Sequence, residues 1–327
     1  MCASAGRAEP KLLDLVSEAV RTRRYSPRTE ETYRRWITRF VRFHGTRHPE
    51  GLGADEVNAF LSHLAVEAGV SAATQSQARA ALLFLYKEVL HRPLAGVGDR
   101  VVQGKKPKRL PTVITRAEVR QVLGQLSGMQ QLVASVLYGS GLRLREGLGL
   151  RVKDIDLDRR QLVIRGGKGG HDRVSVLAGA LTVPLADQIE WRRTMHDRDL
   201  AKGVGRAVLP DSYARKAPRA ALEFAWQFVF PASTVTEHPQ SGAKGRYHLH
   251  PTSVQRAVKK ASRTLGLGKR VTCHTFRHSF ATHLLEDGYD IRTIQELLGH
   301  RSVKTTMIYT HVLNSGGLGI RSPLDTI

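Results

Sequence analysis

The chain has 327 residues, enough for about two domains that fold without disulfides or a structural metal. Its 51 Lys and Arg against 29 Asp and Glu give a formal net charge of +22, which excludes an acidic disordered chain and indicates a polyanionic partner. Cys2 and Cys273 are too far apart to build a disulfide framework, and the longest apolar run, 80–86, is too short to span a membrane. We therefore expect a cytoplasmic protein that contacts nucleic acid and no membrane.

The first hundred residues predict a small all-helical module over 1–95. Apolar residues recur at helical spacing from Leu12 to Val20, from Tyr33 to Val41 and from Val57 to Leu64. Ser26 followed by Pro27 is typical of a helix start, with serine as the cap and proline as the first helical residue. A fourth helix is predicted from Ala73 to Leu90.

A basic linker follows the helical module. Residues 92–111 contain three prolines and three glycines, which break regular structure and predict a linker over 96–112. The linker carries a cluster of cations: Lys105, Lys106, Lys108 and Arg109. A solvated hinge is one interpretation, but the overall charge favours a strap that contacts the DNA phosphate backbone.

The second domain, 113–327, mixes helices with a few strands. Thr115 and Glu118 form a capping-box pattern at its start, and helices are predicted to about Leu150. Two strands, 161–165 and 173–177, flank a glycine-rich turn. The pattern predicts irregular chain after Asp187. Regular helices are predicted again from Ser253 onward.

One set of side chains fits the cleavage of a phosphodiester without metal. Such a reaction needs cations on the non-bridging oxygens, a nucleophile and an acid for the leaving oxygen. Arginine suits the first task because its planar fork is bidentate and always charged. The chain offers, in order, Arg143, Lys168, His274, Arg277, His300 and Tyr309.

That order resembles the tyrosine recombinase family, whose motif is Arg, Lys, His-x-x-Arg, His and Tyr. The resemblance covers nearly the whole chain, and the complete set is far more specific than any single member. The likeness is closest to the integron integrases, because 209–219, 226–231 and the ending 316–325 resemble segments that set that subfamily apart.

The resemblance implies a mainly α fold with a small β-sheet, arranged as a two-domain, C-shaped DNA clamp. Residues 1–95 correspond to a core-binding, SAM-like domain and 113–327 to the catalytic domain. An integron-type insert falls within about 190–250, and 312–327 correspond to an arm that protomers exchange. The working form implied is a homotetramer on DNA.

The resemblance also implies a role for each residue of the set: Arg143 and Arg277 clamp the scissile phosphate, Tyr309 attacks it to form a 3′-phosphotyrosine, Lys168 protonates the leaving 5′ oxygen, His274 is acid and base for the tyrosine, and His300 binds a phosphate oxygen. Glu146 occupies the family's acidic position and orients an arginine. Because the ester is exchanged and not hydrolysed, no metal, ATP or other cofactor is required. Where related members often have a second basic residue, the turn continues with Gly169 and Gly170.

The insert is where we expect recognition of unusual DNA. Integron integrases, as a family, accept cassette sites folded from a single strand, with bases protruding from an imperfect hairpin. A protruding base offers a π-face, and stacking on it is worth about 1–3 kcal/mol and tolerates any sequence. The insert supplies suitable side chains for DNA contact: Trp226, Phe228, Pro231, Tyr247 and His248.

Other functions fit the sequence less well. Within the family, a phage or transposon integrase or an Xer-like resolvase is the alternative, and a relative that has lost cleavage is a second one. A metal-dependent nuclease needs clustered Asp and Glu, which the sequence lacks. His274, His278 and His283 share one predicted helix, but without a His-Glu-x-x-His pattern or a neighbouring cysteine pair they do not indicate zinc.

Overall fold

The computed structural model describes residues 11–98, 101–102, 111–166, 172–238 and 242–312. The chain divides into two compact units, Met1–Arg109 and Leu110–Ile327. Three predicted features lie outside the described residues: the basic cluster of the linker, Lys168, and all of the exchange arm after Val312. The described part is mainly helical with two small sheets, which confirms the predicted fold class.

The first unit is helical throughout its described part. Its α-helices are α1 Leu12–Thr22, α2 Pro27–Phe43, α3 Ala54–Val66 and α4 Ala72–Phe84, and a π-helical stretch, Leu85–Val89, continues α4. The four predicted helices are thus confirmed. Ser26 caps α2 as predicted, because its hydroxyl accepts the Thr29 N–H at 3.1 Å. Val97 is buried in the core of this unit, so the unit extends past residue 95.

The helices of the second unit, within its described residues, follow in chain order: α5 Arg116–Gly124, α6 Gly128–Gly139, α7 Leu144–Leu148, α8 Thr182–Ala201, α9 Asp211–Lys216, α10 Pro251–Thr264, α11 Cys273–Glu286, α12 Ile291–Leu298 and α13 Val303–Thr306. A 3₁₀ turn, Met307–Val312, follows α13 directly. Thr115 and Glu118 form the predicted capping box at the start of α5. No helix of the described residues is both long enough and apolar enough to cross a membrane.

Two sheets accompany these helices. The first is antiparallel, with strands β1 Ile155–Asp156, β2 Gln161–Ile164 and β3 Arg173–Val176 in the order β1-β2-β3, and the second pairs β4 Thr236–Glu237 with β5 Lys244–Gly245. The two strands predicted around the glycine-rich turn are therefore confirmed as β2 and β3. Ile164 pairs with Arg173, so these two residues close the base of the turn that carries Lys168.

The prediction of irregular chain after Asp187 was wrong for its first part. Helix α8 continues to Ala201 and buries a polar face. Arg192 donates to the Gln227 side chain at 2.7 Å, and Asp199 accepts two hydrogen bonds from Arg246 at 2.7 and 3.0 Å. The prediction used hydrophobic periodicity, which cannot detect a helix whose buried positions are charged.

The core of the second unit supports the segments that carry the candidate site. Helices α6 and α11 pack against each other, with Val133, Leu137 and Phe276 fully buried in the shared core. A smaller cluster, made by α11, α12 and the 3₁₀ turn, includes Phe280, Leu298 and Tyr309. Tyr309 is therefore held in place by apolar packing as well as by hydrogen bonds.

Candidate active site

Glu146 and Arg143 form the first part of the site at the start of α7. The main-chain N–H of Arg143 donates to Glu146 Oε2 at 2.9 Å, and Arg143 Nη1 donates to Oε1 at 2.7 Å. Burial raises the pKa of Glu146, but hydrogen bonds from Arg173 and Arg143 outweigh it and hold that pKa at about 2. Glu146 is therefore ionised at neutral pH and fixes the direction of Arg143.

Arg277 lies on α11 with 1% of its surface exposed. Its Nη1 donates to the Gly141 carbonyl at 2.7 Å, and its Nη2 donates to the Leu298 carbonyl at 2.6 Å. Burial, together with the neighbouring Arg143, lowers the pKa of Arg277 to about 10, so the group stays charged at neutral pH. The side chain thus joins the turn before Arg143 to the end of α12.

His300 follows Gly299, which ends α12 in the left-handed conformation at φ 62°. His300 Nε2 lies 3.1 Å from Arg277 Nη2 and must accept, since a guanidinium only donates. Nδ1 then carries the hydrogen and donates to Thr306 Oγ1 at 2.9 Å. Burial and the nearby Arg277 and Arg143 lower the pKa of His300 to about 4, so the ring is neutral.

Tyr309 lies in the 3₁₀ turn after α13 and is 1% exposed. Its ring stacks on His300, with centroids 6.4 Å apart and planes at 14°. The phenolic oxygen lies 3.0 Å from Nδ1 of His278. Burial raises the pKa of Tyr309, while Arg277 and Arg143 pull it down in part. The phenol is therefore protonated in the folded chain.

The histidine at the tyrosine is not the predicted one. Among the described residues, His278 is the ring that bonds the Tyr309 hydroxyl, whereas His274 packs edge-on against His278 with ring centroids 4.3 Å apart. Burial lowers the pKa of His278 to about 4, with further lowering by His274 and Arg277. The His278 ring is therefore neutral at neutral pH.

The structure thus places Arg143 and Arg277 at Glu146, His300 at Arg277 and Tyr309 at His300, with His274 on the same face of α11 one turn before His278. The Phage integrase family matches residues 112–315, and the N-terminal SAM-like domain of phage integrases matches residues 12–95. This chain belongs to the phage integrase family, the tyrosine recombinases. It is an enzyme of the class that cleaves and rejoins DNA strands.

Individual relatives agree with this assignment. The recombinase is 48% identical over 317 residues to an integrase/recombinase of Escherichia coli, with 97% of this chain and 94% of that protein covered. It is 32% identical to tyrosine recombinase XerA of Thermococcus kodakarensis, over 88% of this chain and 86% of that protein. A solved structure of the XerH site-specific recombinase in a pre-cleavage complex has the same fold, with 20% identity, a TM-score of 0.59, and coverage of 92% of this chain and 80% of that one.

The aromatic side chains of the recombinase's predicted insert form two groups. In the first, Trp226 lies against Tyr213 at 4.6 Å between centroids, and Lys153 Nζ lies 2.8 Å from the centre of the Trp226 ring. These side chains line a cleft of about 530 Å³ that reaches Glu146 and Gly166. Trp226 ends a 3₁₀ turn, Phe224–Trp226, and isolated bridges at Phe228 and Pro231 follow it.

The second group contains the other predicted contacts. Tyr247 and His248 lie 4.2 Å apart between ring centroids, and both pack against Phe228. Pro231 bridges to His248 through the backbone and is buried, whereas Tyr247 is exposed. The structure therefore brings Pro231, Tyr247 and His248 together, and the Arg151 guanidinium lies over both the Phe228 ring at 4.6 Å and the Trp226 ring at 5.2 Å.

Two residues in the site escaped the sequence reasoning. His278 was considered only as a zinc ligand, although its position one turn after His274 puts both on one face of the helix. Arg173 was read only as part of a strand. Its Nη2 donates to Glu146 Oε2 at 2.7 Å, and no local pattern in the sequence indicates a contact between residues 27 positions apart. Within the described residues, no group of three His, Cys, Asp or Glu side chains could hold a metal ion.

Proposed function

We propose that this enzyme is a site-specific DNA recombinase that cuts and rejoins strands through a phosphotyrosine at Tyr309. The proposal rests on one observation above others. A tyrosine hydroxyl, two arginines and a neutral histidine converge, and Glu146 is the acidic group that orients one of the arginines. That set provides a nucleophile and a phosphate clamp without any metal ligand set.

Arg143 and Arg277 act as the phosphate clamp in this proposal. Three guanidinium groups, those of Arg143, Arg173 and Arg277, surround the single carboxylate of Glu146, so the site keeps an excess of positive charge. A scissile phosphodiester carries one negative charge and gains more on its oxygens during attack. The fixed cations therefore stabilise the transition state more than the ground state.

Tyr309 attacks phosphorus as its phenolic proton passes to Nδ1 of His278, the neutral ring 3.0 Å away. Its oxygen forms the new bond to phosphorus while the bond to the 5′ oxygen breaks, and Lys168 protonates that leaving oxygen. His300, held neutral, keeps its ring fixed between Arg277 and Thr306 beside the phosphate. In rejoining, the 5′ hydroxyl attacks the phosphotyrosine and the same groups work in reverse, so bond energy is kept.

A nicked suicide DNA substrate tests the nucleophile. We expect a covalent protein–DNA adduct with the native chain and none with Tyr309→Phe, although the variant still binds DNA. Tyr289→Phe is the matched control, because Tyr289 is 55% exposed and lies outside the site. An adduct that forms with Tyr309→Phe, or that maps to another residue, contradicts the proposal.

The proposed general-acid role of Lys168 can be tested by changing the leaving group of the DNA substrate. Replacing it should slow cleavage roughly 10²–10⁴-fold, the usual share of a general acid. A substrate with a 5′-thiolate leaving group needs no proton, so it should restore much of the rate. Failure to restore it would assign Lys168 an electrostatic role.

The excess of basic residues should bind DNA mainly through contacts with its phosphates. The salt dependence of duplex affinity should follow a log–log slope of about −0.9 per phosphate contacted. Neutralising the linker cluster of Lys105, Lys106, Lys108 and Arg109 should flatten that slope if the linker lies along the backbone. An unchanged slope would make the linker a spacer.

We further propose the activity of an integron integrase, which integrates and excises gene cassettes at sites that include folded single-stranded hairpins. The two aromatic groups support this, because Tyr247 is exposed and the Trp226 cleft is lined by Lys153, Arg145 and Arg151. An aromatic face beside cations suits an unpaired base and its phosphate. The recombinase would work in the cytoplasm as a homotetramer, since two duplexes exchange four strands.

The similarity to XerA is equally consistent with the function of an Xer-like resolvase. Recombination assays on two kinds of site distinguish that function from the activity of an integron integrase. Tyr247→Ala together with His248→Ala should depress recombination of a folded single-stranded site much more than of a fully paired site. Trp191→Ala is the control, because Trp191 is 45% exposed on α8 and belongs to neither aromatic group. Equal loss on both substrates, or recombination confined to duplex sites, would favour the Xer-like function.

A further inference from the structure

Arg173, the first residue of β3, meets the site from the base of the hairpin. Its Nη2 donates to Glu146 Oε2 at 2.7 Å and its Nη1 to Oε1 at 3.2 Å, so both carboxylate oxygens are held by one planar fork. Its Nε donates to the Leu297 carbonyl at 3.0 Å, at the end of α12. Only 10% of the side chain is exposed. One side chain therefore ties the hairpin to Glu146 and to the helix before His300.

The surroundings leave little freedom for this side chain. Gly299 adopts φ 62°, and a Cβ at that position would lie 2.8 Å from Arg173 Cδ. The glycine that places His300 thus also makes room for Arg173. On its other side the strand position is fixed by pairing with Ile164. Arg173 is therefore fixed at its backbone and at its guanidinium. A side chain fixed in this way can in turn fix the orientation of the group that it binds.

We infer that Arg173 is a positioning residue for the phosphate clamp: it locks Glu146 in the orientation that aims Arg143 at the scissile phosphate. Without it, Glu146 would keep its bonds to Arg143 but could rotate about its own side-chain bonds. The inference rests on the proposed function, because it concerns the same clamp. A lysine cannot replace the fork, since its ammonium is a point donor that cannot hold two oxygens and a carbonyl in one plane.

The hairpin offers a matched comparison. Arg165 lies on the other side of the same turn and also bonds a buried carboxylate, Asp154, at 2.7 Å. Its side chain is half exposed, and its bonds go to Asp154 and not to Glu146. Arg165 also lies 3.6 Å from a carboxylate oxygen of Asp172, so both arginines of the hairpin are ion-paired, but only Arg173 contacts Glu146.

The experiment compares Arg173→Lys, Glu146→Gln and Arg165→Lys in single-turnover cleavage of two substrates. One has a normal scissile phosphodiester, and the other has a methylphosphonate, whose neutral linkage needs no clamp for its charge. We expect Arg173→Lys to cleave the phosphodiester about 10–100-fold more slowly, the size of one lost charge-assisted hydrogen bond, with unchanged DNA affinity. On the methylphosphonate the loss should shrink to a few-fold, and Glu146→Gln should follow the same pattern.

Each other outcome overturns the inference. An equal loss on both substrates would give Arg173 a structural role only, and so would the same loss in Arg165→Lys. Restoration by a 5′-thiolate leaving group would show that Arg173 acts on the turn that carries Lys168. If Arg173→Lys fails to fold, Glu146→Gln still tests the same link. A native chain that forms no adduct through Tyr309 refutes the proposed function itself, independently of Arg173.

Discussion

The Tyr309 hydroxyl and Nδ1 of His278 are 3.0 Å apart, and the two residues are separated by 31 positions in sequence. His278 follows Arg277 directly on α11, so the residue that holds the tyrosine and the residue of the proposed clamp share one turn of helix. A neutral imidazole can accept the phenolic hydrogen and so hold the phenol in one rotamer. The proposed nucleophile is therefore oriented from the same helix that carries an arginine of the proposed clamp.

Removal of the His278 contact should slow cleavage. We expect His278→Ala to reduce the rate of adduct formation roughly 10²–10⁴-fold, the usual share of a general base, while His278→Gln, which accepts the hydrogen bond but cannot take up the proton, recovers little of it. Single-turnover kinetics on the suicide substrate measures both. A faster rate in His278→Ala would mean that the bond restrains Tyr309 and does not aim it.

Acid should destabilise the second unit through its buried histidines. The folded-state pKa of about 4 at His278 and at His300 lies below the unfolded value of about 6.5, so the unfolded chain binds more protons in that range. The free energy of unfolding should thus be unaffected by these groups above about pH 6.5 and fall as the pH drops toward 4. Urea unfolding across this pH range should show that the free energy of unfolding falls less steeply with decreasing pH in the double variant His278→Gln, His300→Gln than in the native chain. Parallel slopes would mean that both rings are protonated in the folded chain.

The two clamp arginines should differ in their effect on stability. Arg143→Ala and Arg277→Ala should both abolish adduct formation and leave most DNA affinity, because many other cations contact phosphates. Only Arg277→Ala should lower the melting temperature clearly, since it leaves the buried carbonyls of Gly141 and Leu298 without their donor, at about 1–3 kcal/mol each. The Arg143 side chain is 28% exposed, and its described bond goes to Glu146 and not to a buried carbonyl. Equal melting temperatures for the two variants would contradict this.

Gly141 should tolerate alanine poorly. It adopts φ 62°, and a Cβ there would collide with the Phe280 ring. Gly128, at φ 54°, has nothing within 4 Å of its Cβ position and serves as the control. Both alanine variants should lose about 1–2 kcal/mol for the backbone conformation, and Gly141→Ala about 1–3 kcal/mol more for overpacking. Urea unfolding measures both losses, and equal losses would show that Phe280 moves aside freely.

Most helices could be predicted because their apolar residues repeat at helical spacing, as in α2 and α3. Helix α8 could not, because its buried Arg192, His196 and Asp199 have no apolar periodicity. Their burial is tolerable only because partners such as Gln227 and Arg246 arrive from later in the chain. Local pattern carries no information about such partners, so the helix is visible only in the folded chain.

The sequence by itself determined the family, because six residues of four types in a fixed order are chemically specific wherever the chain places them. It also predicted the two helical regions, to about Leu150 and from Ser253 onward, in which five of them lie. Only the tertiary structure decided which groups touch. His278 meets Tyr309 and Arg173 meets Glu146 because α11, the 3₁₀ turn and β3 pack together across 31 and 27 residues of sequence. Such contacts follow from the packing of whole elements, and spacing along a chain fixes neighbours only within one helix or strand.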